Sequence, residues 1–175
     1  MDYKSKLIEW NSKDKYHSEF LFLNKLVGKG QSILDYGCGL GLTAVGLGAD
    51  GYDVNDYIFS PSIKSIGNYY INELPNKAYQ EIYFMHSLAH IKNPTEVLKD
   101  LKERYNATIT VITPNRYWLM QQSNRDYKPD PTVHKHYTLH ELRELFEEAG
   151  YEVTLIGQFG ELNNGVNERI FLQAK

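Results

Sequence analysis

The stretch SILDYGCGLGLTAVGL, Ser32 to Leu47, decides how this chain is read. Ile33 and Leu34 lead into Asp35 and Tyr36, and then into Gly37-Cys38-Gly39-Leu40-Gly41. The first part reads as a buried strand, and LTAVGL reads as the start of a helix. Three glycines between them permit a tight turn and let a ligand lie against the main chain. Two ligand classes compete for such a loop, beside the plain alternative of a tight strand–helix turn. A dinucleotide sets its pyrophosphate at the helix N-terminus and asks for Gly-x-Gly-x-x-Gly or a final Ala. Gly39-Leu-Gly41-Leu-Thr-Ala44 spells that string, but it begins two residues further from the strand than the geometry wants. The frame Gly37-Cys38-Gly39-Leu40-Gly41, with Asp35 before it, fits better. A carboxylate beside the loop repels a pyrophosphate and attracts an ammonium or a sulfonium.

Working outward, the remaining apolar runs are short and evenly placed: GYDVNDYIF, EIYFMH, ATITVIT, YEVTLIG and RIFLQA. Each is β-branched or aromatic and reads as a strand. Helical patterns lie between several of them. NPTEVLKDLKERY sets Asn93 at an N-cap, Pro94 at the first helical position and Glu96 at the third. TLHELRELFEEAG sets Thr138 as cap, Glu141 as partner in a capping box and Gly150 as the stop. SKDKYHSEFLFLNKLVGKG, residues 12–30, is a third amphipathic candidate. Strands alternating with helices imply an α/β fold, a mostly parallel sheet with helices on both faces. Ligands of such sheets bind beyond the carboxyl ends of the strands, where the opening stretch sits.

Composition bounds the partners. The 175 residues suit one domain, and the formal charge of −3 offers no general attraction to nucleic acid or anionic membrane. One cysteine, Cys38, excludes a disulfide framework and suits a reducing compartment. No apolar run approaches the ~18 residues of a membrane span, and MDYKSKLIEW lacks a signal-peptide pattern. A cytoplasmic protein is expected.

ILDYGCGLG resembles motif I of the class I S-adenosylmethionine-dependent methyltransferases. EIYFMHSLAHIKNPTEVLKDLK resembles the fourth strand and following helix of the small-molecule subgroup, types 11, 12 and 23. ITVITPNRYWL resembles the fifth strand with its Thr-Pro-Asn turn. HYTLHELRELFEEAGYEV and ERIFLQAK resemble the last helix and the sixth and seventh strands. The resemblance implies a Rossmann-like sheet of seven strands in the order 3-2-1-4-5-7-6, strand 7 antiparallel. It implies a methyltransferase domain over 31–175, preceded by a helical cap over 1–30. It also implies S-adenosylmethionine as cofactor, with S-adenosylhomocysteine as product. Gly37, Cys38, Gly39 and Gly41 would line the methionine part, and Asp35 would orient the loop and the ammonium. An acid ending the second strand would take the ribose hydroxyls, Asp53 first and Asp56 second. The short spacing after motif I requires a clipped first helix. Asn72 or Glu73 stands where relatives carry an acid that meets the adenine, and His86 and Ser87 end the fourth strand at the cofactor edge. Relatives often carry Leu-Glu-His next; Leu88-Ala89-His90 departs from that, and His90 reads as a capping or packing residue.

The connection from Asn115 to Tyr137 is too long for a plain loop and carries Tyr117, Trp118, Met120, Tyr127, His134 and His136. It reads as a lid over the strand ends, with Trp10, Tyr16 and His17 of the N-terminal cap on the other side. A packed surface loop is the alternative. Methyl transfer is an in-line displacement, served by alignment and exclusion of water. A hydroxyl acceptor also needs a base, and His134 leads, with His86 next; no metal is implied. The acceptor expected is a small molecule. The chain lacks the motifs and basic patch of nucleic-acid methyltransferases. A catalytically silent cofactor-binding protein and a nicotinamide-dependent reductase are the other readings.

Overall fold

The computed structural model describes residues 32–55, 68–122 and 130–175. The helical cap over 1–30, Asp56 and Tyr127 lie outside the described residues. Seven strands form one sheet in the order β3-β2-β1-β4-β5-β7-β6. This is the order expected from the resemblance. The chain divides into two compact units, residues 1–80 and 81–175.

The first unit contains β1 (Ile33–Tyr36), α1 (Leu42–Leu47), β2 (Asp50–Asp53) and β3 (Tyr69–Ile71). α1 has six residues, the clipped helix that the short spacing required. β1 pairs parallel with β2, Asp35 opposite Gly51, and β2 pairs parallel with β3, Asp53 opposite Ile71. Gly51 is obligatory, because a β-carbon there would stand 2.6 Å from the Tyr69 ring and 2.8 Å from Cys38 Sγ. The start of β2 is pinned by Asp50, whose carboxylate binds Lys77 Nζ at 2.6 Å and accepts from Tyr79 at 2.7 Å and Asn68 at 3.0 Å. Burial pushes that carboxyl up, but the bonds from Lys77, Tyr79 and Asn68 outweigh it and hold it below its ordinary value.

The second unit runs β4 (Glu81–Met85), a 3₁₀ turn (Leu88–His90), α2 (Pro94–Tyr105), β5 (Thr108–Pro114), α3 (Arg116–Gln122), α4 (Leu139–Glu148), β6 (Val153–Asn163) and β7 (Val166–Ala174). β4 and β5 are parallel, and β7 lies antiparallel between β5 and β6. α4 begins as its sequence requires. Thr138 Oγ1 accepts from the Glu141 amide at 3.2 Å, and Glu141 Oε2 accepts from the Thr138 amide at 2.9 Å. Its Leu142, Leu145 and Phe146 are buried. α2 starts at Pro94, but the Asn93 side chain caps no backbone group and donates to Glu96 Oε2 at 3.1 Å instead. β6 and β7 extend beyond the runs YEVTLIG and RIFLQA. Asn164 and Gly165, at φ of 49° and 79°, form the two-residue turn that joins them.

Candidate active site

The glycine loop leaves β1 and turns back over β2. The amides of Gly37 and Cys38 both donate to the Tyr52 carbonyl, at 2.8 and 3.0 Å. Gly37, Gly39 and Gly41 hold φ of 75°, 53° and 75°, values that side chains resist. A β-carbon built on Gly39 meets nothing within 4 Å, so that glycine faces open space. Cys38 is buried, and the packing of its sulfur against Gly51 supports the loop from beneath. Burial, then the Asp35 and Asp53 carboxylates, push its thiol up, which removes it as a nucleophile.

Asp35 is 1% exposed, and neither carboxylate oxygen has a hydrogen-bond partner among the described residues. Burial and then the Asp53 carboxylate raise it to about 7, with the Ala44 amide opposing. A buried carboxylate without partners is expensive unless a counter-charge arrives. Asp53 ends β2 as expected. Its Oδ2 accepts from the Gly39 amide at 3.1 Å and its Oδ1 from the Asn55 amide at 3.0 Å, so the acid is tied to the loop. Asn72 follows β3 at φ of 62° and donates its amide to the Asp53 carbonyl at 3.0 Å, while its side chain is exposed. The first unit thus gathers Asp35, Gly37, Cys38, Gly39, Gly41, Asp53 and Asn72 at the carboxyl ends of its strands.

The second unit gathers histidines. His86 follows β4 at φ of 58°, its amide donating to the Ile112 carbonyl at 2.8 Å, and Ser87 follows it. His90 does not cap a helix. It closes the 3₁₀ turn ahead of α2, and its Nδ1 lies 2.8 Å from Thr132 Oγ1. Thr132 Oγ1 in turn donates to Asp130 Oδ1 at 2.7 Å, and the Thr132 amide donates to the same oxygen at 2.9 Å. The amides of His134 and Lys135 both donate to the Ala89 carbonyl, at 2.8 and 3.2 Å, which docks this segment on the 3₁₀ turn. The His134 side chain is exposed and that of His136 is half-buried. Burial lowers both His90 and His136. Asp130 opposes in both, and for His90 a backbone hydrogen bond at Thr132 opposes too; neighbouring histidines lower both further. Among the described residues no three His, Cys, Asp or Glu side chains are placed to hold a metal. His140 stands apart on α4, 3.2 Å from Glu144.

The segment after β5 has a closed root. Asn115 and Tyr137 form a parallel bridge, and the Arg116 amide donates to the Tyr137 carbonyl at 2.9 Å. α3 occupies its beginning and leaves Tyr117 and Met120 exposed. A groove of about 310 Å³ opens at this root, lined by Asn115, Tyr117, Thr138, His140, Gln158 and Val166. It reaches the lower bound of small-ligand pockets. The contact of His90 with Thr132 is not legible in the sequence. Asp130-Pro131-Thr132 is a turn signature, but nothing local connects it to a histidine 42 residues earlier.

A family model described as a methyltransferase domain matches residues 10–156. A search of curated proteins finds no match. Solved structures share the fold. A SAM-dependent methyltransferase from Thermotoga maritima, described as a possible histamine N-methyltransferase, is 14% identical with a TM-score of 0.80, over 98% of this chain and 96% of that one. A SAM-dependent methyltransferase from Aquifex aeolicus is 16% identical with a TM-score of 0.68, over 99% and 98%. Magnesium protoporphyrin IX methyltransferase from Synechocystis PCC 6803, solved with bound SAH, is 13% identical with a TM-score of 0.67, over 99% and 87%. At these identities the likeness is one of fold.

Proposed function

The chain belongs to the methyltransferase-domain family, and we propose that it moves a methyl group from S-adenosylmethionine to a hydroxyl of a small molecule. The observation that carries this reading is the buried Asp35 carboxyl, for which the described residues supply no counter-charge, beside a left-handed glycine loop that is tied to Asp53. That arrangement suits a ligand bearing both a cation and a diol. The ammonium would supply the counter-charge that Asp35 lacks. The open space over Gly39 would take the methionine chain, beside Gly37, Cys38 and Gly41. Asp53 would receive the ribose hydroxyls and Asn72 would border the adenine. His86 and Ser87 are the candidates from the end of β4. A pyrophosphate suits none of this, because Asp35 and Asp53 would repel it. Bound there, S-adenosylmethionine supplies an activated methyl group on a sulfonium. The chain aligns the acceptor, excludes water and takes up the proton of the hydroxyl.

A small acceptor is supported by the groove at the root of the lid and by the net charge of −3, which does not favour a polyanion. No helix among the described residues is long and apolar enough to cross a membrane. Calorimetry with S-adenosylmethionine and with NAD tests the cofactor. We expect micromolar affinity for the first, about −8 kcal/mol at 1 μM, and none for the second. Asp53→Ala should weaken it by about 1.5–3 kcal/mol per charged hydrogen bond lost. Preference for NAD would overturn the reading. Incubation with phenols, catechols and sugar alcohols, followed by mass spectrometry for one added methylene, tests the acceptor.

A further inference from the structure

The contacts around His90 fix more than its position. Thr132 Oγ1 carries one proton, and Asp130 Oδ1, 2.7 Å away, already accepts from the Thr132 amide at 2.9 Å, which marks it as an acceptor. The hydroxyl therefore donates to Asp130, and its lone pair faces His90 Nδ1 at 2.8 Å. Nδ1 must carry the ring proton for that contact to be a hydrogen bond. Nε2 is then the basic nitrogen of the ring. The geometry points to a relay in which Asp130 and Thr132 are positioning residues and His90, rather than His134, takes the proton of the methyl acceptor.

Three further observations agree. His90 follows β4, and Asp130 and Thr132 follow β5; the two strands are parallel, so both segments lie past their carboxyl ends, where ligands of such sheets bind. The segment that carries Thr132 is docked on the 3₁₀ turn through the Ala89 carbonyl, which holds the relay's two halves together. His134 contributes its backbone to that docking and exposes its ring. Among the described residues, Asp130, His86 and His134 act electrostatically on His90, and His90 acts on His136. Burial keeps the ring neutral near pH 7, ready to accept a proton, and Asp130 limits how far its basicity falls. In the reaction the acceptor oxygen bonds to the methyl carbon as the carbon–sulfur bond of the donor breaks. The hydroxyl proton passes to Nε2. The resulting imidazolium donates through Nδ1 to Thr132, and Thr132 to the Asp130 carboxylate.

The inference rests on the hydroxyl-acceptor reading, and the experiment separates the two. Long-range ¹H–¹⁵N spectra of the full chain, without any ligand, should show His90 as the Nδ1–H tautomer. Thr132→Val should shift it toward Nε2–H, and Thr132→Ser should restore it. Turnover is then measured on whichever panel phenol, catechol or sugar alcohol the wild type methylates. His90→Gln should lower kcat by about 10²–10⁴-fold with S-adenosylmethionine affinity unchanged. Thr132→Val should lower kcat about 10-fold or more, because the ring loses the hydroxyl that orients it, while the Asp130 charge and the Thr132 backbone that raise its basicity remain. Thr132→Ser should rescue kcat. An Nε2–H tautomer in the wild type overturns the relay. The expected tautomer with full turnover in His90→Gln overturns the base. If S-adenosylmethionine binds but no panel member is methylated, the hydroxyl reading fails and this inference falls with it, while the tautomer result still reports on the relay.

Discussion

At the scale of single residues, Asp35 couples stability to binding. Its folded value near 7 lies above the ordinary carboxylate value of 3.8. A raised folded pKa contributes stability that is fully present below the unfolded value and is lost as pH rises through the folded one. Between about pH 4 and 7 the unligated protein should therefore lose stability from this group. A bound ammonium reverses the preference and favours the ionised form. Cofactor binding near pH 6 should thus release a proton, and affinity should rise with pH until it levels above 7. Calorimetry in two buffers of different ionisation enthalpy measures the proton directly. Asp35→Asn should abolish the proton release, weaken binding and raise the melting temperature at pH 8. Unchanged proton release in Asp35→Asn would separate Asp35 from the ligand. Gly39→Val probes the same loop: its side chain enters the open space over the loop, at a φ of 53° that valine resists. It should lose cofactor binding while its circular dichroism stays that of a folded protein, and normal binding would make the loop only a turn.

At the scale of elements, α4 shows what local sequence can dictate. Its capping box needs only Thr138 and Glu141, three residues apart, and both halves of it form. Glu141 Oε1 also binds Arg116 Nη1 at 2.7 Å, so the cap fastens the start of α3 to the start of α4. Thr138→Ala should cost about 1 kcal/mol, or roughly 2–4 °C in melting temperature. Amide exchange should rise at the first turn of α4 and at Arg116 together; a rise confined to α4 would show that the cap does not hold α3. Elements of this local kind are legible in sequence, as are β1, α2 and the glycine loop. β3 is not, because its three residues are defined by pairing with β2. β6 and β7 outrun their apolar stretches, because a hairpin's extent depends on cross-strand partners such as Phe159 and Arg169. The turn at Asn164-Gly165 is the available local signal for that extension. The glycine-loop part of the candidate site is local in the same way. Asp35, the glycines and Asp53 lie within 19 residues, whereas His90 meets Thr132 only once β4, α2 and β5 have folded.

At the scale of the molecule, titrating groups of opposite sense shape the stability profile. Glu81, at the start of β4, is 6% exposed and is raised by burial to about 7, with one long 3.5 Å bond from Tyr83 opposing. Like Asp35, it contributes stability present below its unfolded value of about 4.5 and lost as pH rises through 7. His90 and His136 act in the other direction. Their folded values lie below 6.5, so the unfolded chain takes up their protons first, and stability is lost as pH falls below 6.5. At about pH 8 His90 and His136 are neutral in both states, and the offset left by the raised Asp35 and Glu81 remains. Glu81→Gln preserves shape and an acceptor for Tyr83 while it removes the titration. It should therefore stabilise the unligated protein at pH 8 by on the order of 1–3 kcal/mol and change little at about pH 4.5. Thermal melts of wild type and Glu81→Gln across that range measure the difference. A gap that opens between about pH 5 and 7 assigns the slope to this carboxyl. A gap of equal size at every pH would mean that the substituted amide packs differently and that Glu81 does not titrate in this range.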